Sequence, residues 1–233
     1  MQLFSLSGTP LLMGLITYLL YFTFLKSTRI KTKITKRFTP AKSSFYWIQL
    51  TRVIAFICMA ILPVTYIHFM EIDFWSIIYK WSLTDTKYTL ILALILIPLG
   101  AFNAKGTEHL AMYPQVRMTQ WNTFKYLSNI AGWGLYLLGY EFLFRGILFL
   151  GLIPFTGLYP AIVINTVLYA LAHLYKGKKE TLGSIPLGII LCLITAQTGT
   201  IWTAFAVHWI MATNNFVWSH YYHKKANNLS SKS

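Results

Sequence analysis

YEFLFRGILF, Tyr140 to Phe149, sets a glutamate and an arginine four residues apart in a run that is otherwise apolar, aromatic or glycine. Read as a helix, the run brings Glu141 and Arg145 to one face, where they can pair. Apolar residues continue on both sides over about 127 to 152, long enough to cross a bilayer. Composition agrees: 56% of the 233 residues are hydrophobic and only 11% charged, with mean hydropathy +0.54, far from the balance of a soluble domain.

Six further segments pass the same test, at about 9 to 25, 50 to 70, 88 to 103, 157 to 175, 183 to 199 and 201 to 221. Backbone polar groups cannot go unpaired in lipid, so these predict an all-α, polytopic membrane helix bundle of about seven transmembrane helices. The first segment is followed, not preceded, by basic residues, and is expected to stay as a span and not to be cleaved as a leader. No linker or repeat divides the chain. It reads as one integrated bundle, with N-terminal helices and a basic loop over 1–125, the charge-bearing helices over 126–221 and a disordered tail over 222–233. The loop 104 to 126 suits either an interfacial helix or a turn at Tyr113-Pro114.

Lysines and arginines crowd the loops 26 to 49, 104 to 126 and 176 to 182 and the tail, whereas Lys80 and Lys87 remain on the other side with Glu71, Asp73 and Asp85. The asymmetry predicts an external amino terminus and a cytoplasmic carboxyl terminus. It also accounts for the net charge of +14 as attraction to an anionic inner leaflet; no nucleic-acid partner is expected. A bacterial cytoplasmic membrane is the expected location, an organelle membrane the alternative. Cys58 and Cys192 lie in apolar stretches without metal-like spacing and read as packing residues.

An ionisable residue inside a membrane helix is costly unless paired or hydrated, and an isolated buried pair returns about what its burial costs. Two other spans add polar groups: His173, four residues after Tyr169, and His208, followed by Asn214 and Asn215. His208, Ala212 and Asn215 share one helical face. Gathered in a bundle, such groups supply a general base, a charge to hold it and donors for an oxyanion.

At these residues the chain resembles the CPBP (Abi) family of CAAX prenyl endopeptidases and bacteriocin-processing or immunity proteins. YEFLFRG is similar to the family's EExxxR motif, YALAH (Tyr169 to His173) to FxxxH, and the segment from His208 to HxxxN, within a stretch from Tyr126 to Asn215. The resemblance implies Glu141, Arg145, His173 and His208 as catalytic residues, with Tyr140, Tyr169, Asn214 and Asn215 in support. Tyr140 stands where the first glutamate is expected and Ala212 where the asparagine is expected. Tyrosine, with a pKa near 10, is no base at neutral pH. The activity implied is therefore an intramembrane endopeptidase in which Glu141 activates water, the histidines donate to the oxyanion or move the proton, and Arg145 keeps the glutamate ionised. The substrate expected is a peptide or membrane protein, with the site open to the cytoplasm. No cofactor is favoured; in a zinc version His173 and His208 become ligands. The alternative is an inactive family member acting as a binding or immunity protein. A proton-coupled carrier would also bury such groups, but no matching halves are visible. Glu180 reads as a solvated interfacial residue. For Glu141 to meet His173, the segment from Tyr126 is expected to start in the interface or to break near Gly132, Gly134 or Gly139.

Overall fold

The structure is a computed structural model and describes residues 9–69, 78, 80–116, 118 and 120–230. Glu71, Asp73 and Arg117, counted above in the charge pattern, lie outside the described residues. All seven apolar segments are helical, and no strand occurs among the described residues. The first is α1 (Thr9–Lys26), followed by the short polar α2 (Thr28–Thr35), whose N-terminus is capped by the Ser27 hydroxyl. The second joins α3 (Pro40–Phe56), a π-helical turn at Ile57–Ile61 and α4 (Leu62–Phe69). Pro63 explains the widening: it lacks an N–H for the Met59 carbonyl and its ring crowds that carbonyl, so the preceding turn loosens.

α5 (Leu83–Asn103) begins with a reciprocal cap in which Ser82 Oγ accepts from the Asp85 N–H and Asp85 Oδ2 accepts from the Ser82 N–H. Asp85 Oδ1 accepts from the hydroxyls of Thr200 and Thr203 at 2.9 and 3.0 Å. The carboxylate counted as an external loop charge is thus buried and ties the start of α5 to the start of α11 (Trp202–Ser230). Loop 104–126 contains both features weighed for it, a short helix α6 (Thr107–Met112) and a turn through the cis Tyr113-Pro114 bond. His223 Nε2 donates to the Leu110 and Tyr113 carbonyls, both at 3.0 Å, and so holds this loop on α11. α11 continues through Ser230, past residue 222 where the tail was expected to begin, with no proline or glycine after 222 to stop it.

The central element runs from α7 (Thr123–Glu141) through a π-helical stretch, Phe142–Leu150, into α8 (Gly151–Thr156). Gly157, Gly177 and Gly199, at φ 83°, 100° and 70°, then turn the chain into α9 (Leu158–His173), α10 (Lys178–Thr198) and α11. Of the two arrangements expected for the segment from Tyr126, the break near Gly132, Gly134 or Gly139 does not occur: α7 is continuous through all three, and the irregularity follows Glu141. These glycines serve close packing instead. A Cβ at Gly134 would meet the Trp209 ring at 3.0 Å, and one at Gly139 the Phe56 Cα at 3.0 Å.

Among the described residues five stretches are long and apolar enough to cross a membrane: Lys42–Phe69, Leu83–Asn103, Thr123–Thr156, Leu158–Lys176 and Lys178–Thr198. Leu12–Lys26 is a shorter apolar helix, and α11 falls below the same hydropathy because its interior carries His208, Asn214 and Asn215. Burial ranks these helices. The most apolar window of Thr123–Thr156 is 83% buried against 11% for α5, so the helix with Glu141 and Arg145 is the axis around which the others pack. Its 34 residues span about 50 Å, more than a hydrocarbon core of about 30 Å, so one end must project beyond the apolar slab.

Gly139→Ala should lower the thermal stability of the detergent-purified protein by about 1–3 kcal/mol, because a backbone atom opposes the new methyl. Gly183→Ala, in a helix interior where a Cβ meets nothing within 4 Å, should leave the midpoint unchanged or raise it.

Candidate functional site

Glu141 closes α7 with no exposed surface. His208 donates from Nδ1 to Glu141 Oε1 at 2.6 Å, and Arg145 Nε lies 3.5 Å from Glu141 Oε2. The expected i, i+4 ion pair is therefore present and completely buried, with a histidine from α11 on its other side. The Arg145 guanidinium covers the Tyr169 ring at 4.4 Å, a contact worth about 2 kcal/mol or more when desolvated. Tyr169 thereby joins α9 to the ion pair.

His173 reaches the group one turn beyond Tyr169. It donates from Nδ1 to the Tyr169 carbonyl at 2.9 Å, and its ring lies near-parallel to that of His208, with centroids 6.2 Å apart and planes inclined at 22°. Both imidazoles thus commit Nδ1 to a fixed partner, and in the neutral form such a ring offers Nε2 as an acceptor. Tyr140 sets its ring edge-on to both, at centroid distances of 6.4 Å from His173 and 5.7 Å from His208. Its hydroxyl is buried without a hydrogen-bonding partner among the described residues, and so is Glu141 Oε2.

Glu141, Arg145, His173, His208, Tyr140 and Tyr169 therefore converge from three helices. The two asparagines do not join them. Asn214 Nδ2 donates to the Ile97 carbonyl of α5 at 3.1 Å, and a Cβ on Gly100 of α5 would lie 3.6 Å from Asn215 Oδ1. The reason is helical geometry: Asn214 lies about 240° round from His208, and Asn215, though on its face, is about 10 Å further along. Ala212 packs against the small apolar cluster built on Tyr113, Trp133 and Leu137. Glu180 accepts from the Tyr113 hydroxyl at 3.1 Å and pairs with Lys176 at 3.8 Å, apart from Glu141.

Asn165 is the residue that sequence reasoning missed. The π-helical stretch shifts the hydrogen bonding of its carbonyls, and Asn165 Nδ2 donates to the Phe144 carbonyl at 2.6 Å while its Oδ1 accepts from Cys192 Sγ at 3.2 Å. Cys192, read as a packing residue, is also a donor. The signal was present: Asn165, Tyr169 and His173 recur every four residues in an otherwise apolar span, and so share a face.

No group of three or more His, Cys, Asp or Glu side chains is arranged to hold a metal ion among the described residues. Of the donors present, Glu141 Oε1 is engaged by His208, which leaves the two histidine Nε2 atoms and Glu141 Oε2, the last lying beside the Arg145 cation.

Residues 122–214 match the family model described as type II CAAX prenyl endopeptidase Rce1-like. Over this segment the chain is similar to the Rce1-like family. The Rce1-like segment opens at the Asn122 cap of α7 and takes in every residue of the Glu141 cluster, while α1 to α6 lie outside it. With the apolar helices the match indicates a multi-pass membrane protein, and it supports a CAAX-protease-type fold over the matched residues. No curated protein and no solved structure matches the chain.

Removing one partner of a buried ion pair strands the other. Arg145→Met and Glu141→Gln should therefore each cost about 3–5 kcal/mol, and the double variant clearly less than their sum, as a double-mutant cycle of thermal unfolding would read.

Proposed function

We propose that the protein is an intramembrane peptidase that hydrolyses a peptide bond in a membrane-associated substrate, with Glu141 as the general base. The observation that carries this reading is the state of that carboxylate. Oε1 is held by His208, while Oε2 sits beside Arg145 without a hydrogen bond and keeps a lone pair for a water proton. Such a base is fixed in orientation and kept ionised by a neighbouring cation, while part of it stays available.

In the reaction, Glu141 Oε2 takes a proton from water as the water oxygen bonds to the scissile carbonyl carbon, whose π electrons move onto oxygen. The tetrahedral oxyanion then collapses, the C–N bond breaks, and the proton passes to the departing amine. His173 and His208, as Nε2 acceptors, suit this proton movement better than donation to the oxyanion. The unpartnered Tyr140 hydroxyl is the neutral donor suited to the oxyanion, so the tyrosine in the position of the family's first glutamate gains a different task. We adopt hydrolysis without a metal, because a metal ion at Glu141 Oε2 would face the Arg145 cation. The site is read as opening to the cytoplasmic face of a bacterial membrane, following the sequence asymmetry in Lys and Arg.

A panel of prenylated carboxy-terminal peptides presented to the detergent-purified protein tests this. Glu141→Gln should lower turnover by at least about 100-fold. Tyr140→Phe should lower kcat by about 100-fold at unchanged KM without loss of thermal stability, since it removes an unpartnered buried hydroxyl. Treatment with a strong chelator should leave the rate unchanged. Wild-type protein that binds such peptides without cleaving them would shift the reading to a non-cleaving binding or immunity protein.

A further inference from the structure

Arg52 is a second buried cation, on α3 and outside the Rce1-like segment, with 3% of its surface exposed. Its Nη1 donates to Asn129 Oδ1 at 2.9 Å, to the Asn129 carbonyl at 3.0 Å and to Gln49 Oε1 at 3.2 Å, and its guanidinium lies 4.3 Å from the Trp133 ring centroid. Every one of these partners is neutral. Nη2 has no hydrogen-bonding partner among the described residues. The described carboxylates are engaged elsewhere: Asp85 with Ser82, Thr200 and Thr203, Glu108 with Lys179, Glu141 with Arg145 and His208, Glu180 with Lys176 and Tyr113. A charge buried in this way is costly unless an anion answers it. The backbone also makes room for it, since a Cβ at Gly132 would collide with Gln49 and come within 3.2 Å of Arg52 Nη1.

Arg52 lines a cavity of about 700 Å³ between α1, α2, α3 and α7, with Lys31, Trp47, Trp133, Tyr136 and Tyr175 in its wall. Tyr175 also borders a second cavity of about 340 Å³, where α1 meets α9, walled by apolar side chains such as Phe22, Leu148 and Leu171. A cationic chamber with aromatic walls therefore adjoins an apolar groove, on the face that carries the basic segment 26–49. We propose that this pair of cavities binds one anionic phospholipid, its headgroup phosphate on Arg52 and an acyl chain in the groove between α1 and α9. Phosphate fits the observations because Arg52 keeps an unpartnered Nη2 among the described residues, whose N–H groups can donate to an anion's oxygens. A lipid fits because the chamber runs into an apolar groove and the basic segment concentrates anionic headgroups beside it. None of the Glu141 cluster takes part, so the proposal stands apart from the peptidase reading.

The full chain, delipidated in a neutral detergent, should gain thermal stability saturably with phosphatidylglycerol and not with phosphatidylcholine of the same acyl chains. Native mass spectrometry should retain one phosphatidylglycerol per chain. Arg52→Gln should require about 10- to 100-fold more phosphatidylglycerol for the same shift. Ser44→Trp fills the chamber from its wall while leaving Arg52 and its neutral partners in place, and should do the same, so the test survives a failure of Arg52→Gln to fold. Equal response to the two lipids, an undiminished phosphatidylglycerol effect in both variants, or an equal shift from inorganic phosphate alone would each overturn the proposal.

Discussion

A carboxylate and a guanidinium with no exposed surface impose the strictest condition on this bundle, because both lose their water where little polar material replaces it. The surroundings of Glu141 and Arg145 read as the answer to that condition. α11 supplies a hydrogen bond to one carboxylate oxygen, and α9 supplies an aromatic face to the guanidinium. The central helix widens into π geometry at the same place, and Asn165 takes up the Phe144 carbonyl. Three helices are held in register by what two charges require. The helix that carries the charges is also the most enclosed of those able to cross a membrane.

Much of this could be read in the residues themselves. Apolar run lengths gave the seven helical segments, since a span of lipid imposes a length that soluble helices need not respect. Glu141, Arg145, His173 and His208 stood out because ionisable groups are rare in such runs, and the structure brings all four together. The asparagines of α11 looked equally apt and point to α5 instead, because a polar residue in an apolar span shows that a partner exists but not which helix provides it. Asp85 illustrates the same limit. Beside a loop and near lysines it counts as an external charge, yet two threonines distant in sequence bind it in the interior. The π-helical stretch left no trace in periodicity, being a response to packing and to Pro154, which denies the Leu150 carbonyl its usual donor.

The two buried arginines show how differently one side chain can be housed. Arg145 has a carboxylate four residues away and an aromatic ring beneath it, and its cavity is filled by protein. Arg52 has an aromatic ring and three neutral acceptors, and beside it the packing opens into a chamber. The first arrangement closes on itself, while the second leaves one nitrogen of a cation without a hydrogen-bonding partner among the described residues, in a side chain that borders a cavity.

α11 is fastened to α5 at two levels. The Asp85 carboxylate grips Thr200 and Thr203 near its start, and Asn214 grips the Ile97 carbonyl some eleven residues later. His208 sits between these points like a load on a beam fixed at both supports. Its imidazole cannot be withdrawn from Glu141 by rotating α11 alone; either a fastening must open or α5 must travel with it. A helix that touches none of the reacting groups thereby sets the freedom of one of them, and the lipid-facing periphery of the bundle becomes part of the mechanical frame of its centre.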